Sequence, residues 1–185
     1  MKKIILFLLV ASSIFADAKV YVGVGYGMFD ETFKSEKKEK NSTELAQIKI
    51  GYGKREAYAV EISLEYMQNS SKIFSSTSSS SLDGDKYGMN VSLLKAFDLD
   101  IHVLPYVKVG FGSGYFDIDR ALQDRIFYSS LNIGTGIFIP MGENFDLELA
   151  YEHKHTSYQS IDTVVEKINY QSGSNIAYFG FNARF

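Results

Sequence analysis

The chain has 185 residues, a formal net charge of −3 and no cysteine. The acidic balance argues against a nucleic-acid partner, and the lack of cysteine excludes disulfides, thiolate metal sites and lipid attachment at cysteine. Tyrosine and phenylalanine together number 27 (13 and 14), whereas only two prolines occur, and this composition is typical of a strand-rich domain.

The first 18 residues have the order of a secretory signal peptide. Lys2 and Lys3 precede an apolar run over 4–10, and small residues follow at Ala16 and Ala18. The apolar run is too short to cross a bilayer as a helix, which needs roughly 20 residues. We predict cleavage after Ala16 or after Ala18, with a buried N-terminal helix as the alternative.

Residues 19–185 are predicted to form one domain. Apolar residues recur there at every second position, which is the periodicity of β-strands. The alternation divides into eight segments, at residues 20–28, 46–53, 58–66, 87–93, 102–112, 131–139, 145–152 and 177–185. These lengths approach the roughly 9–11 residues that a tilted membrane strand needs.

The links between these segments alternate in length. Short turns are predicted near residues 54–56, 98–100 and 141–143, and long polar links at 30–43, 68–85, 114–124 and 155–166. Short turns on one side and long loops on the other are typical of outer-membrane barrels. We therefore predict an all-β fold, an eight-stranded antiparallel up-and-down transmembrane β-barrel, with both chain ends periplasmic and the long loops extracellular.

Alternation alone also fits a soluble barrel of the lipocalin type, whose apolar face points inward. Here the polar rows are rich in glycine, serine and asparagine, which suits a narrow lumen better than a wetted surface. The apolar rows carry aromatic residues near their ends, as in the interfacial girdles of membrane barrels. These are Tyr52, Tyr58 and Phe145 beside the short turns, and Tyr66, Tyr87 and Tyr151 toward the long links. The apolar rows are therefore predicted to face lipid.

Three segments carry a family resemblance. They are the ending Tyr178-Phe179-Gly180-Phe181-Asn182-Ala183-Arg184-Phe185, the segment Pro105-Tyr106-Val107-Lys108-Val109-Gly110, and the glycines at 23, 25 and 27. Together they resemble the opacity-protein and OmpA-type β-barrel superfamily over the whole predicted domain. The resemblance implies a barrel in the cell outer membrane, in contact with its lipid and lipopolysaccharide, and we expect a monomer. It also implies that Phe185 belongs to the signal that the barrel-assembly machinery recognises.

Charged residues in the polar rows are predicted to close the lumen. An eight-stranded barrel is just wide enough for side chains to fill it, and unpaired charges in so confined a space are costly. Pairing across the first two short turns is expected to place Lys49 opposite Glu61 and Lys108 near Ser92. The predicted charge network comprises Lys49, Glu61, Glu65, Lys108, Glu148, Glu152 and Arg184. A narrow gated channel is the alternative.

The three histidines are candidates for chemistry. His102 is predicted to point inward beside a short turn, as a residue of the lumen or of its rim. His153 and His155 share one face of a strand and could contribute to a metal site, but no third ligand is evident. We therefore expect neither a metal nor another cofactor.

The segment His155-Thr156-Ser157 is similar to the His-x-Ser element of outer-membrane lipid A deacylases of the PagL type. In that family a histidine base activates a serine nucleophile on the lipid-facing side of the barrel. By parity His155 and Ser157 face outward here, but Tyr158 stands where that family usually has asparagine. The residue that would orient the histidine is not fixed by spacing.

The leading functional prediction is a non-enzymatic surface barrel that displays four polar loops. The link over 29–44 is rich in lysine and glutamate, and it is the candidate for contact with a host molecule, lipopolysaccharide or another ligand. The serine-rich stretch over 75–81 is predicted to be a flexible loop tip. The deacylase and the narrow channel are the alternatives.

Overall fold

A computed structural model of the chain describes residues 18–34, 39–68, 84–118, 124–162, 167–168 and 170–185. The predicted signal peptide, except Ala18, and the serine-rich stretch over 75–81 lie outside this part of the chain. Within it there is no helix long and apolar enough to cross a membrane.

Eight long strands form one closed antiparallel barrel, which confirms the predicted fold. The strands are β1 (Lys19–Lys34), β2 (Glu39–Gly53), β3 (Tyr58–Met67), β4 (Lys86–Ala96), β5 (Leu104–Asp117), β6 (Arg125–Pro140), β7 (Phe145–Tyr158) and β10 (Gln171–Arg184). Each pairs with its neighbours along the chain, and β10 closes the barrel on β1. Two short strands, β8 (Ile161–Asp162) and β9 (Lys167–Ile168), pair with each other between β7 and β10.

The outer face of the barrel carries an apolar belt. Side chains alternate along each strand, so that β3 exposes Val60 and Ile62 while it buries Glu61 and Ser63. Exposure in the outer apolar rows reaches 66% at Leu131. So large an apolar surface is unfavourable in water, and in a closed barrel it is the surface that faces lipid.

The connections define two ends of the barrel. The turn end holds the short connections 54–57, 97–103 and 141–144, together with residue 18 and Phe185. The loop end holds the links that follow β1, β3, β5 and β7.

At the loop end the strands run further than the sequence predicts. The predicted link over 30–43 is mostly strand, because β1 continues to Lys34 and β2 begins at Glu39. Beyond the apolar belt the polarity of the two faces is exchanged, with Phe29 and Phe33 buried inside while Asp30 is exposed outside. Where the outer face of a strand lies in water, its outward residues are polar. The alternation of apolar and polar residues that predicts strands is therefore absent there. The predicted links at 114–124 and 155–166 are shortened in the same way, by β5 and β7.

The predicted registers at two short turns are wrong by two residues. Lys49 lies opposite Ser63, and Glu61 opposite Gly51. The turn is centred one residue later than predicted, on Glu56 instead of Arg55, and the amide of Lys54 donates to the carbonyl of Tyr58 at 2.9 Å. Across the second turn Lys108 lies opposite Leu94, while Ser92 faces Gly110.

The prediction that His102 points inward is also wrong. β5 begins at Leu104, so His102 belongs to the preceding 97–103 connection, and it is exposed instead of pointing into the barrel.

Candidate functional site inside the barrel

Glu148 on β7 is the centre of the buried polar interior. Its carboxylate is paired with the Lys49 ammonium. It also accepts hydrogen bonds from the hydroxyls of Tyr106, at 2.6 Å, and Tyr178, at 2.9 Å. The side-chain amide of Asn182 donates to it at 2.9 Å. Four donors from three different strands, β2, β5 and β10, therefore converge on one carboxylate.

A second set of contacts continues from this centre toward the loop end. Lys108 is paired with Glu152 and lies 3.4 Å from Glu61. Lys49 lies 3.7 Å from the same Glu61, so the predicted partners do approach each other, diagonally instead of directly opposite. The Tyr21 hydroxyl donates to Glu61 at 2.8 Å.

Glycines make the room that the buried tyrosine rings occupy. A Cβ atom added at Gly51 would overlap the ring of Tyr21, and one at Gly136 would lie 2.6 Å from the Tyr106 ring. The absence of side chains at these inner positions lets large rings cross the lumen of a narrow barrel.

Asp146 closes the turn end. Its buried carboxylate lies between Arg184 Nε, at 2.5 Å, and Arg55 Nε, at 2.9 Å. Arg55 reaches it from the β2–β3 turn and also donates to the carbonyls of Gly142, at 3.0 Å, and Glu143, at 3.1 Å. The β2–β3 and β6–β7 turns are not neighbours in the barrel, so Arg55 connects them across the opening.

Two further ion pairs lie nearer the loop end. Lys154 is 2.5 Å from Glu65, and Lys86 is 3.0 Å from Glu31. The hydroxyl of Tyr158 donates to Glu31 at 2.6 Å. Tyr158 lies beyond the apolar belt, and its burial, followed by the charge of Glu31, raises its pKa well above the ordinary value.

An apolar layer covers these ion pairs at the loop end. Its members pack together inside the extended strands, and several of their rings are in contact. They are Phe33, Phe116, Ile118, Ile126, Tyr128 and Tyr158. The lumen is therefore filled by ion pairs over most of its length and by this apolar layer at the loop end.

We call the paired charges of the lumen the ion-pair ladder. It has six cationic side chains (Lys49, Arg55, Lys86, Lys108, Lys154 and Arg184) and six carboxylates (Glu31, Glu61, Glu65, Asp146, Glu148 and Glu152). The charges balance, as a confined interior of low dielectric requires. A carboxylate that already accepts several short hydrogen bonds is poorly suited to general acid or base chemistry.

The structure places all seven residues of the predicted network inside the barrel and in ion pairs. Five ladder residues were missed by the sequence reasoning. Lys154 and Asp146 have the same parity as Glu148 on β7, and that signal could have identified them. Glu31 lies where a link was predicted, Lys86 lies between a predicted link and the next predicted strand, and Arg55 reaches the lumen from a turn.

The candidate deacylase residues lie outside the ladder. His155 and Ser157 are both exposed on the outer face of β7, beyond Tyr151. No hydrogen bond joins them among the described residues, and it is His153 whose Nδ1 lies 2.8 Å from the Asn175 side chain. In the same part of the chain no cluster of three or more His, Cys, Asp or Glu side chains could hold a metal ion.

Phe185 follows the end of β10 at the turn end. Its side chain is 73% exposed, and its amide donates to the carbonyl of Val20 at 2.9 Å. It therefore extends the β10–β1 seam and leaves an aromatic ring outside the barrel.

The chain has counterparts among known proteins. The family described as "Outer membrane protein beta-barrel domain" matches residues 4–185. Neisserial surface protein A has a TM-score of 0.66 at 18% identity, covering 92% of this chain and 100% of that one. Ail of Yersinia pestis has a TM-score of 0.54 at 19% identity, covering 92% and 100%. The N-terminal barrel of Pseudomonas aeruginosa OprF has a TM-score of 0.53 at 16% identity, covering 88% and 97%. At these identities the structures establish a common fold. No curated protein matches the sequence.

Proposed function

We propose that the chain, which belongs to the outer-membrane β-barrel family, forms a closed barrel and displays a binding surface outside the cell. The match over residues 4–185 confirms the resemblance to opacity-protein and OmpA-type barrels. In this proposal the turn end faces the periplasm and the loop end faces the outside, as is usual for such barrels. Phe185 is then available to the barrel-assembly machinery during insertion.

The observation that carries the closed state is the ion-pair ladder beneath the apolar layer. Ladder contacts occur at successive levels from Asp146 to Glu31, and each level is bridged by side chains from different strands. A water-filled pore would need these pairs to separate, which would leave buried charges without partners.

The strand extensions support a binding role at the loop end. Strands β1 and β6 have 16 residues each, more than the roughly 9–11 that cross a bilayer. The excess forms a rigid wall with a polar outer face, on which Lys40, Ser42 and Gln171 are exposed. Such a wall holds the loops away from the lipid and offers polar groups to lipopolysaccharide or to a soluble ligand.

We expect no stable conductance when the purified protein is inserted into planar lipid bilayers, because the ladder fills the lumen. Insertion is verified by heat-modifiable gel mobility in the same preparation, and a known porin provides the positive control. A large, stable conductance step would contradict the closed barrel.

The orientation is tested by cysteine labelling on intact cells, since the natural chain contains no cysteine. A Gln159→Cys variant at the loop end is expected to react with a membrane-impermeant maleimide. Glu143→Cys, equally exposed but at the turn end, should react only after the outer membrane is permeabilised. The reverse pattern would overturn the orientation.

We expect no lipid A deacylase activity from His155 and Ser157, because no hydrogen bond joins the two side chains. Mass spectrometry of lipid A should give the same acylation pattern in cells with the wild-type protein, with Ser157→Ala, and without the gene. Loss of an acyl chain that requires both His155 and Ser157 would establish the enzyme instead.

A further inference from the structure

Lys95 places a cation on the lipid-facing side of the barrel, at the turn end. It is the penultimate residue of β4, and its neighbours across the sheet are Tyr58 and Val107. Both of these belong to the exposed outer rows, at 38% and 48% exposure. A charge on the lipid face is tolerated only near the membrane boundary, where its cost falls to about 0–1 kcal/mol.

The surroundings of Lys95 are aromatic. Its Nζ atom lies 4.4 Å from the ring centroid of Tyr58 and 5.7 Å from that of Phe97. Arg125 at the loop end has a similar aromatic contact with Tyr115, but it is also paired with a carboxylate at 3.1 Å. Among the described residues, no carboxylate forms an ion pair with Lys95. Its anionic partner is therefore expected to come from outside the chain.

The connection that follows Lys95 carries apolar and acidic residues in alternation. Leu99 and Ile101 are 57% and 56% exposed, which suits a segment that lies against lipid instead of in water. Asp98 and Asp100 are exposed between them. The Asp98 carboxylate accepts the amide of Asp100 at 3.0 Å, which holds the two aspartates in one turn.

We propose that this edge of the barrel binds the headgroup of a phosphoethanolamine phospholipid. Lys95 pairs with the phosphodiester, Tyr58 and Phe97 shield the contact, and the aspartates of the turn receive the primary ammonium. The charge pattern selects among headgroups. A glycerol headgroup lacks the cation that the aspartates require, and a choline ammonium has no N–H to donate.

This headgroup site depends on one part of the proposed function, namely that the apolar belt faces lipid. It does not depend on which end of the barrel faces the periplasm, because both leaflets of a phospholipid vesicle present the same headgroups. It is also independent of whether the lumen conducts.

Tryptophan fluorescence provides the test, because the natural chain contains no tryptophan. A full-length Phe97→Trp variant is inserted into phosphatidylcholine vesicles that contain a fixed fraction of brominated lipid with an ethanolamine, glycerol or choline headgroup. We expect brominated phosphatidylethanolamine to associate about two- to fivefold more strongly than brominated phosphatidylcholine at this tryptophan, which is the range that an exposed ion pair provides. The additional substitution Lys95→Gln is expected to remove that preference, because a headgroup whose phosphodiester is no longer held does not bring its ammonium to the aspartates.

Two controls separate the site from general lipid contact. A Tyr151→Trp variant, at the opposite end of the outer face, should show no headgroup preference. Asp100→Asn in the Phe97→Trp background should reduce the preference for ethanolamine over glycerol. Equal quenching by all three lipids at residue 97, a preference for glycerol, or no effect of Lys95→Gln would each overturn the proposal. If Phe97→Trp does not fold by heat-modifiable mobility, Leu99→Trp is the substitute reporter with the same expected outcomes.

Discussion

Replacement of Glu148 by alanine is expected to destabilise the barrel by about 3–5 kcal/mol, because the buried Lys49 ammonium loses its closest partner. Among the carboxylates of the described residues, Lys49 then retains Glu61, at 3.7 Å, while Tyr106 and Asn182 lose their acceptor. The free energy of unfolding is measured by urea titration of the protein in lipid vesicles, with circular dichroism as the signal.

Two variants give this measurement its controls. Glu143→Ala removes an exposed carboxylate near the same strand and should change stability by no more than about 0.5 kcal/mol. The double substitution Lys49→Met with Glu148→Leu removes both charges, and it should recover much of the loss because no buried charge remains without a partner. A Glu148→Ala protein as stable as the wild type would mean that water already reaches this part of the lumen.

The sequence predicted the barrel well where the membrane itself imposes a pattern. Between the girdles every strand must expose apolar residues to lipid, so parity alone placed Lys49, Glu61 and Glu148 inside. Outside the membrane this constraint ends. Glu31 was assigned to a link because the outer residues beside it, Asp30 and Thr32, are polar, although β1 continues to Lys34 and buries the Glu31 side chain.

The sequence predicted neither the register at the β2–β3 turn nor the contact between Arg55 and Asp146, and the reasons differ. The turn at 54–57 contains no glycine or proline to mark its centre, and a shift of that centre by one residue moves the facing partner by two positions. Arg55 is polar and lies in a turn, so nothing in the sequence around it indicates a buried contact. Its long side chain instead reaches back to Asp146, and such a contact depends on which turns meet across the barrel opening.

Substitution of Gly51 by valine is expected to have the second large effect, because the space above this residue is occupied by the Tyr21 ring. A Cβ at residue 51 would overlap the ring, which is fully buried and held by its hydrogen bond to Glu61. Overpacking of this kind costs about 1–3 kcal/mol and occasionally more. We expect a lower yield of the heat-modifiable folded band and a lower urea midpoint.

The cause is tested by rescue and by a matched glycine. Tyr21→Ala removes the ring, so stability should fall less when Gly51→Val is added to Tyr21→Ala than when it is added to the wild type. Gly173→Ala on β10 should be tolerated, because the nearest atom to its new Cβ, His153 Cε1, lies at 3.7 Å. Equal losses for Gly51→Val in both backgrounds would show that the penalty comes from the strand backbone. In that case the glycine rows would serve strand curvature, and the lumen would have space that the tyrosine rings do not fill.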